Sequence, residues 1–460
     1  MIRVLLTLSL LCSSFHLILA EPPADTVLLE RSIITNHAIK AVDYSPDGLF
    51  LVSGGFGRTV DIWNALTGRI MYSLEGHEDD ILAIACSSDG RIIASGGVDK
   101  KVILWDIITG RRISTLEGHN DDVNDLSFSP DGRYVCSASW DRTAIIWDVI
   151  TGIRIQTLSG HPDHVTAVAF SGDGQRLVTA CADHKIRIWS VKNGELLKTL
   201  EGHDDEIWDV QWSHSAKVIA SGATDNTACL WNPETGELIK KFDGHHSDVW
   251  TVAFDKDGLM LATGSSDRSI KLWDLATGEL IMNVSSEVHT SDIESLVFSP
   301  DGETLVSVGR DGSIRFWEIP RLSQRIRMII STKVEAWAQQ QPFEKSKDYQ
   351  RRMAEKDELV KDFRKEIVDT ILDYYVKNVS WDENITLGEY NPDQEYYYLH
   401  SPVLGEMRMF VSINQAPLMN EYFEKIQFED LKMDYNNGRL RLRSMDGFLS
   451  GINRRFKVTP

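Results

Sequence analysis

Cysteine is scarce in this chain, with 5 in 460 residues. One of them, Cys12, falls within the first twenty residues; the others are Cys86, Cys136, Cys181 and Cys229, scattered far apart. That scatter is not a disulfide framework, and no Cys/His pairs stand at zinc-binding spacing. Buried thiols acting as small hydrophobes remain as the reading. Long apolar runs are missing after residue 20, so no later segment is expected to span a membrane. Positive charge is also short: Lys and Arg number 48 against 68 Asp and Glu, a net charge of −20. Residues 321–460 are balanced, with 22 basic and 22 acidic side chains, so the acidic excess falls on residues 21–320. Nucleic acid is excluded as a partner for such a surface, because phosphate binding needs Lys and Arg.

The one long apolar run stands at the very start. "MIRVLLTLSLLCSSFHLILA" has Arg3 near its beginning and Ala20 at its end. This is the layout of a secretory signal peptide over residues 1–20, with export to the periplasm, cell envelope or medium. Cleavage after Ala20 is expected, and an uncleaved anchor is the alternative. Leu11 before Cys12 argues against lipidation. Sequons at Asn283, Asn378 and Asn384 arise often by chance and assign no compartment.

What the chain has in abundance is repetition. Gly-His recurs at His77, His119, His161, His203 and His245, with His289 following and a weaker "NH" at His37. Tryptophan recurs at Trp63, Trp105, Trp147, Trp189, Trp231, Trp273 and Trp317. Six His-to-Trp intervals are 28 residues and the first is 26. Within one unit, "VNDLSFS", "YVCSAS" and "TAIIWDV" read as short strands, "SPDG" as a tight turn, and "TG" as the turn into a fourth strand such as "IRIQTL". A period of about 40–45 residues with Gly-His and Trp-Asp ends marks a propeller blade, four antiparallel strands that can bury both faces only by stacking.

The chain therefore resembles the WD40 family over roughly residues 25 to 320, in seven copies. The expected fold is mainly β: a seven-bladed propeller over residues 21–320. The seventh copy stops after three strands at "IRFWEI", so "TVLLERSI", residues 26–33, is expected to supply the closing strand.

Each repeat carries a hydroxyl ten residues before its Trp: Ser53, Ser95, Ser137, Thr179, Ser221, Thr263 and Ser307. Six carry an aspartate six before it: Asp99, Asp141, Asp183, Asp225, Asp267 and Asp311. His, Asp and Ser together suggest a hydrolase, but an enzyme needs one such set and six complete copies are expected here. The resemblance implies buried hydrogen-bonded tetrads, which the donor and acceptor inventory of these side chains permits. The first repeat has Gly57 where the aspartate belongs, so its chain is incomplete.

Contact residues are a separate matter. The resemblance places the family's contacts on the top rim, beside the Gly-His loops. There the sequence supplies Asp80, Asp122, Glu206, Asp248, Asp292 and Arg310, together with Trp140, Trp208 and Trp250. Exposed tryptophan is enriched at binding hot spots; sideways packing against a neighbouring blade is the alternative. One carboxylate per blade is too dispersed for a calcium cage, so no metal or cofactor is expected.

Beyond "FWEIP" the repeats end. Residues 321–342 read as a connecting helix, and residues 343–460 as a small α+β module. In that module Val360, Phe363, Ile367, Ile371 and Tyr374 mark one amphipathic helix. "ITLGEY", "EYYYL", "GEMRMFVSI", "FEDLKMDYN" and "GRLRLRS" read as strands, and "QAPLMNEYFEKI" as a short helix. "FEKSKDYQRR" and "LGEYNPDQEYYYL" are similar to a region of bacterial envelope proteins, which agrees with export. The reading is an exported, non-enzymatic scaffold that binds a protein or peptide, with a basic segment as the partner feature that would suit the acidic rim. The alternative is a propeller whose aromatic rim holds a glycan or other polar ligand.

Overall fold

The computed structural model describes residues 29–213, 217–284, 289–339, 350, 352–353, 355–378, 386–391, 396–401, 405–410, 427–436, 439–449 and 454–459. The leader, residues 1–20, and the expected helix over 415–426 lie outside the described residues.

Seven four-stranded antiparallel sheets form a ring. Blades 1 to 6 cover residues 39–75, 81–117, 123–158, 165–201, 207–243 and 249–284, each running from its innermost to its outermost strand in sequence order. Blade 7 takes three strands from residues 293–318, and its outermost strand is Leu29–Ile34, paired antiparallel with Ser313–Glu318. Residues 26–28 of the expected closing segment are outside the described residues. Innermost strands of neighbouring blades face one another all the way round, the seventh against the first.

Burial follows from the stacking. The innermost strand of blade 4, Val165–Phe170, is buried at every residue. The outermost strands of blades 1 to 5 face solvent and each tucks in a single apolar residue, Leu74, Leu116, Leu158, Leu200 and Phe242, whereas that of blade 6, beside the helices, buries Ile281, Met282 and Val284. The turn after the tetrad aspartate forces a left-handed residue, which Lys100, Arg142, His184, Asn226 and Arg268 all adopt. Blade 7 uses Gly312 there, at φ 71°.

Among the described residues, two long helices follow, α1 (Leu322–Ala338) and α2 (Lys356–Asn378). Ile326 and Ile329 of α1 pack on Ile367 and Ile371 of α2, with Ala276, in the turn between the last two strands of blade 6, against them. Tyr374 joins the core of blades 5 and 6 beside Val218 and Leu275, and donates to the carbonyl of Gly258 at 3.4 Å. The remaining strands form a six-stranded antiparallel sheet in the order 386–391, 396–401, 405–410, 454–459, 439–449, 427–436. The strand Arg454–Thr459 was absent from the sequence reading; it pairs on one side with the preceding strand Arg439–Leu449 and on the other with Gly405–Phe410, distant in sequence.

Candidate functional site

The face at which the innermost strands begin is called the top. In blades 2, 3, 5, 6 and 7 each histidine is buried between a carboxylate and a hydroxyl. Nδ1 lies 2.9–3.1 Å from the aspartate Oδ2. Nε2 lies 2.7 Å from the Ser or Thr hydroxyl in all five. The indole of the matching tryptophan donates to that same hydroxyl at 2.8–3.0 Å. Indole N–H can only donate, so the hydroxyl must pass its own hydrogen to Nε2, and the carboxylate then accepts from Nδ1–H. Every polar atom along His77–Ser95–Asp99–Trp105 is thereby satisfied within the fold. The hydroxyls of Ser95, Ser137, Ser221, Thr263 and Ser307 are wholly buried, leaving no room for a substrate. Burial alone would raise the carboxyl pKa, yet the hydrogen bonds from His119 and Thr143 hold Asp141 well below the ordinary range. Asp225, Asp267 and Asp311 are held down the same way.

Blade 4 corrects the expectation of six complete tetrads. His161 still meets the Thr179 hydroxyl at 2.9 Å, and Trp189 still donates to it at 2.9 Å. Asp183, however, is held by both terminal nitrogens of Arg187, at 3.0 and 2.5 Å. His161 Nδ1 is left buried without a partner. Burial, with the Arg187 charge adding to it, pushes this imidazole down to about 4. Blade 4 has Lys185 where blades 3, 5, 6 and 7 place Thr143, Thr227, Ser269 and Ser313, whose hydroxyls donate to the aspartate. Without that hydroxyl, and with Arg187 two residues on, the guanidinium captures the carboxylate.

In blade 1 Trp63 donates to Ser53 at 2.9 Å, but no carboxylate stands at Gly57. His37 is exposed and lies over Gly57, where an added Cβ would come within 2.8 Å of its ring.

On the top rim, the backbone carbonyls of Asp80, Asp122, Glu206, Asp248 and Asp292 each accept the amide of the residue before the tetrad turn. Their side chains remain partly exposed. Burial raises the Asp248 pKa, and the nearby charges of Asp205 and Asp292 add to it. Asp122 is raised likewise, by burial and then by Asp121. The rim is thus a crowded acidic arc.

Trp208 and Trp250 stand side by side at the mouth of the central channel, ring centroids 4.6 Å apart and tilted 52°. Trp208 donates to Thr224 at 2.8 Å, and Trp250 donates to Ser266. Both rings are partly exposed, so each combines sideways packing with an open face. Lys40 lies over the Trp250 ring at 5.1 Å and pairs with Glu294 at 2.5 Å. Glu294, wholly buried at its side chain, also holds Arg310, so the two cations and one carboxylate close the blade 1 to blade 7 side of the mouth.

A family model described as "WD domain, G-beta repeat" matches residues 30–64, 68–106, 110–148, 152–190, 194–232, 236–274 and 282–318. The chain belongs to the WD40 family. No curated protein matches it closely.

Within this WD40 propeller the expected rim residues do not form one site. Trp140 stands apart from Trp208 and Trp250: it pairs with His164, centroids 5.2 Å apart, and its indole nitrogen is buried without a partner. Arg310 is committed to Glu294 and faces Asp292 at 3.7 Å, rather than standing free for a partner. Sequence reasoning missed the channel itself, of about 460 Å³. Asp43 accepts amides from Tyr44 and, across the seam, Cys86, each at 2.8 Å. Asp125 does the same for Leu126 and Val168, and Asp209 reaches Val252 at 2.8 Å. These carboxylates clip neighbouring innermost strands together. Burial pushes Asp43 and Asp209 up to about 6. Asp125 is raised further by burial and by the Asp209 charge. Their signal in the sequence was a carboxylate inside an otherwise apolar first strand. The cysteines Cys86, Cys136, Cys181 and Cys229 are free, and burial pushes the Cys181 and Cys229 thiols up to about 12. Among the described residues, no group of three or more His, Cys, Asp or Glu is placed to hold a metal ion. No described helix is long and apolar enough to cross a membrane.

Proposed function

We propose that this WD40 propeller is an exported, non-enzymatic scaffold that grips a protein or peptide partner on its top face, with Trp208 and Trp250 as the central anchor. WD40 propellers commonly serve protein–protein interaction and are typically non-catalytic. The observation that carries the reading is the indole pair: two large, partly exposed rings, held by hydrogen bonds to Thr224 and Ser266, at the open mouth of the channel. Rigid aromatic anchors of this kind dominate binding energy, while flanking charge sets association rate and specificity. Glu206, Asp248 and Asp205 flank the pair with acid, which favours a partner segment carrying basic side chains. Export rests on the leader-like residues 1–20.

The test is affinity capture from envelope extract with wild type, Trp208→Ala and Trp250→Ala, beside melting curves for all three. A partner held by wild type and lost by both variants, at nearly unchanged melting temperature, supports the reading. Undiminished capture by the Trp variants would sink it. Capture of glycans alone would shift the ligand class to the polar-ligand alternative. N-terminal sequencing of the mature chain checks export; retention of Met1 on cytosolic protein would remove it.

A further inference from the structure

Blade 1 holds a cavity of about 330 Å³ where the other blades seat their histidine. Its origin is a deletion. One residue separates His37 from the first strand residue Ile39, whereas three separate His77 from Ile81. The short loop keeps His37 outside, over Gly57, and the slot in front of Ser53 and Trp63 stays empty of protein.

The slot is not apolar. Asp61 reaches into it from the third strand, paired across the sheet with Ser53 on one side and Ser73 on the other. Thr59 lines it as well. Asp61 Oδ1 is buried without a hydrogen-bond partner; burial raises the carboxyl pKa, and the Ser73 and Thr59 hydroxyls beside the carboxyl offset it only in part. A buried carboxylate oxygen without a donor is costly, and such atoms call for an explanation.

The other blades show what belongs opposite. The positions equivalent to Asp61 are Ile103, Ile145, Arg187, Cys229, Lys271 and Arg315. In blade 4, Arg187 pairs with the turn carboxylate Asp183, and in blade 7 Arg315 lies 3.6 Å from Asp311. Blade 1 reverses this arrangement. It supplies the carboxylate from the strand, has Gly57 in the turn, and provides no cation of its own among the cavity-lining residues except the exposed His37.

We propose that the blade 1 cavity is a socket for an arginine side chain of a partner, whose guanidinium completes with Asp61 the ion pair that blades 4 and 7 build internally. A planar guanidinium suits it for two reasons. It can donate to Asp61 and to the Ser53, Thr59 and Ser73 hydroxyls together, and it can lie flat in a slot shaped for an imidazole. The socket opens beside Ile34, Thr35 and Asn36, on the seam between blades 7 and 1. It is therefore separate from the Trp208–Trp250 pair and does not depend on it.

The experiment titrates the full chain with N-acetyl-arginine methylamide and with its neutral isostere N-acetyl-citrulline methylamide, following the Trp63 indole N–H by NMR. That proton bonds Ser53 and so reports the slot. Arginine should shift it with at least tenfold higher affinity than citrulline, and Asp61→Asn should lose that preference. Asp61→Ile installs the residue of blades 2 and 3; it should fold, melt no lower than wild type, and bind neither compound. Trp208→Ala should bind arginine as wild type does. An unmoved Trp63 signal in wild type overturns the proposal. So does an equal response to citrulline, or arginine binding that survives Asp61→Asn; the cavity would then be a hydrated gap.

Discussion

Arg187 takes Asp183 away from His161. Both terminal guanidinium nitrogens hold the carboxylate, at 3.0 and 2.5 Å, and the imidazole Nδ1 that meets an aspartate in five other blades has no partner. Substituting Arg187 by Ile, the residue of blades 2 and 3, should return Asp183 to His161. We expect the His161 pKa to rise from about 4 by about one unit or more. Titration of its ring protons by NMR checks this, and an unchanged value would mean that burial alone sets it.

The complete tetrads act on stability. Ser137→Ala leaves the Trp147 indole and His119 Nε2 without their shared partner. A loss of about 1–3 kcal/mol is expected from denaturant unfolding, and partner capture by the folded fraction should be unchanged.

Ring closure depends on one strand, Leu29–Ile34, that the chain supplies from before the first blade. Arg31 donates to the carbonyls of Leu66 and Ala65 at 2.6 and 2.7 Å, and lies 3.8 Å over the Phe316 ring. It thus pins the closing strand of blade 7 to the neighbouring blade 1. Arg31→Met should cost about 1–3 kcal/mol. Deleting Leu29–Ile34 should do more, exposing the edge of Ser313–Glu318 and replacing cooperative melting by aggregation.

The channel carboxylates make stability depend on pH. Asp209 is held at about 6 against an ordinary 3.8, so the fold favours its protonated form. Its favourable contribution is full below 3.8 and is lost as pH rises through 6. The tetrad aspartates run the other way: theirs is present above 3.8 and lost as pH falls. The stability advantage of wild type over Asp209→Asn should therefore shrink between about pH 4 and pH 7. Chemical unfolding at several pH values decides it; a difference that is flat or grows with pH would contradict the burial argument.

Arg325 of α1 is 4% exposed, and its charge is the main influence opposing the burial that pushes Asp255 up to about 6. Arg325→Met removes that opposing charge, so the Asp255 pKa should rise further, and stability should fall more at neutral pH than near pH 5, where Asp255 takes up a proton. Faster proteolysis between α1 and α2 would accompany it.

The repeats were legible because a blade is local. Each blade's strands, turns and tetrad residues lie within one period of about 42 residues, so spacing alone exposes them. Blade 4 was misread for the same reason: the spacing placed Asp183 in line with the other five aspartates, and Arg187, four residues on, was not weighed. Which of two acceptable partners Asp183 meets is decided by distance, not by residue type. The last strand, Arg454–Thr459, was missed because it lies outside the repeats and one of its two neighbours, Gly405–Phe410, comes from elsewhere in the chain.

Sequence by itself therefore determined the number of blades, the residues of their buried polar chains and the acidity of the rim, all of which repeat with a fixed period. The tertiary structure alone decided what lies across a seam or against the ring. Trp208 packs on Trp250 while Trp140 turns to His164, Asp43 clips blade 1 to blade 2, and α1 and α2 lie against blade 6. It also decided that a loop two residues short leaves a polar slot beside Asp61. Such contacts join side chains a full blade or more apart, or depend on how far a loop can reach. Periodicity carries no information about either; only the closed ring brings those atoms together.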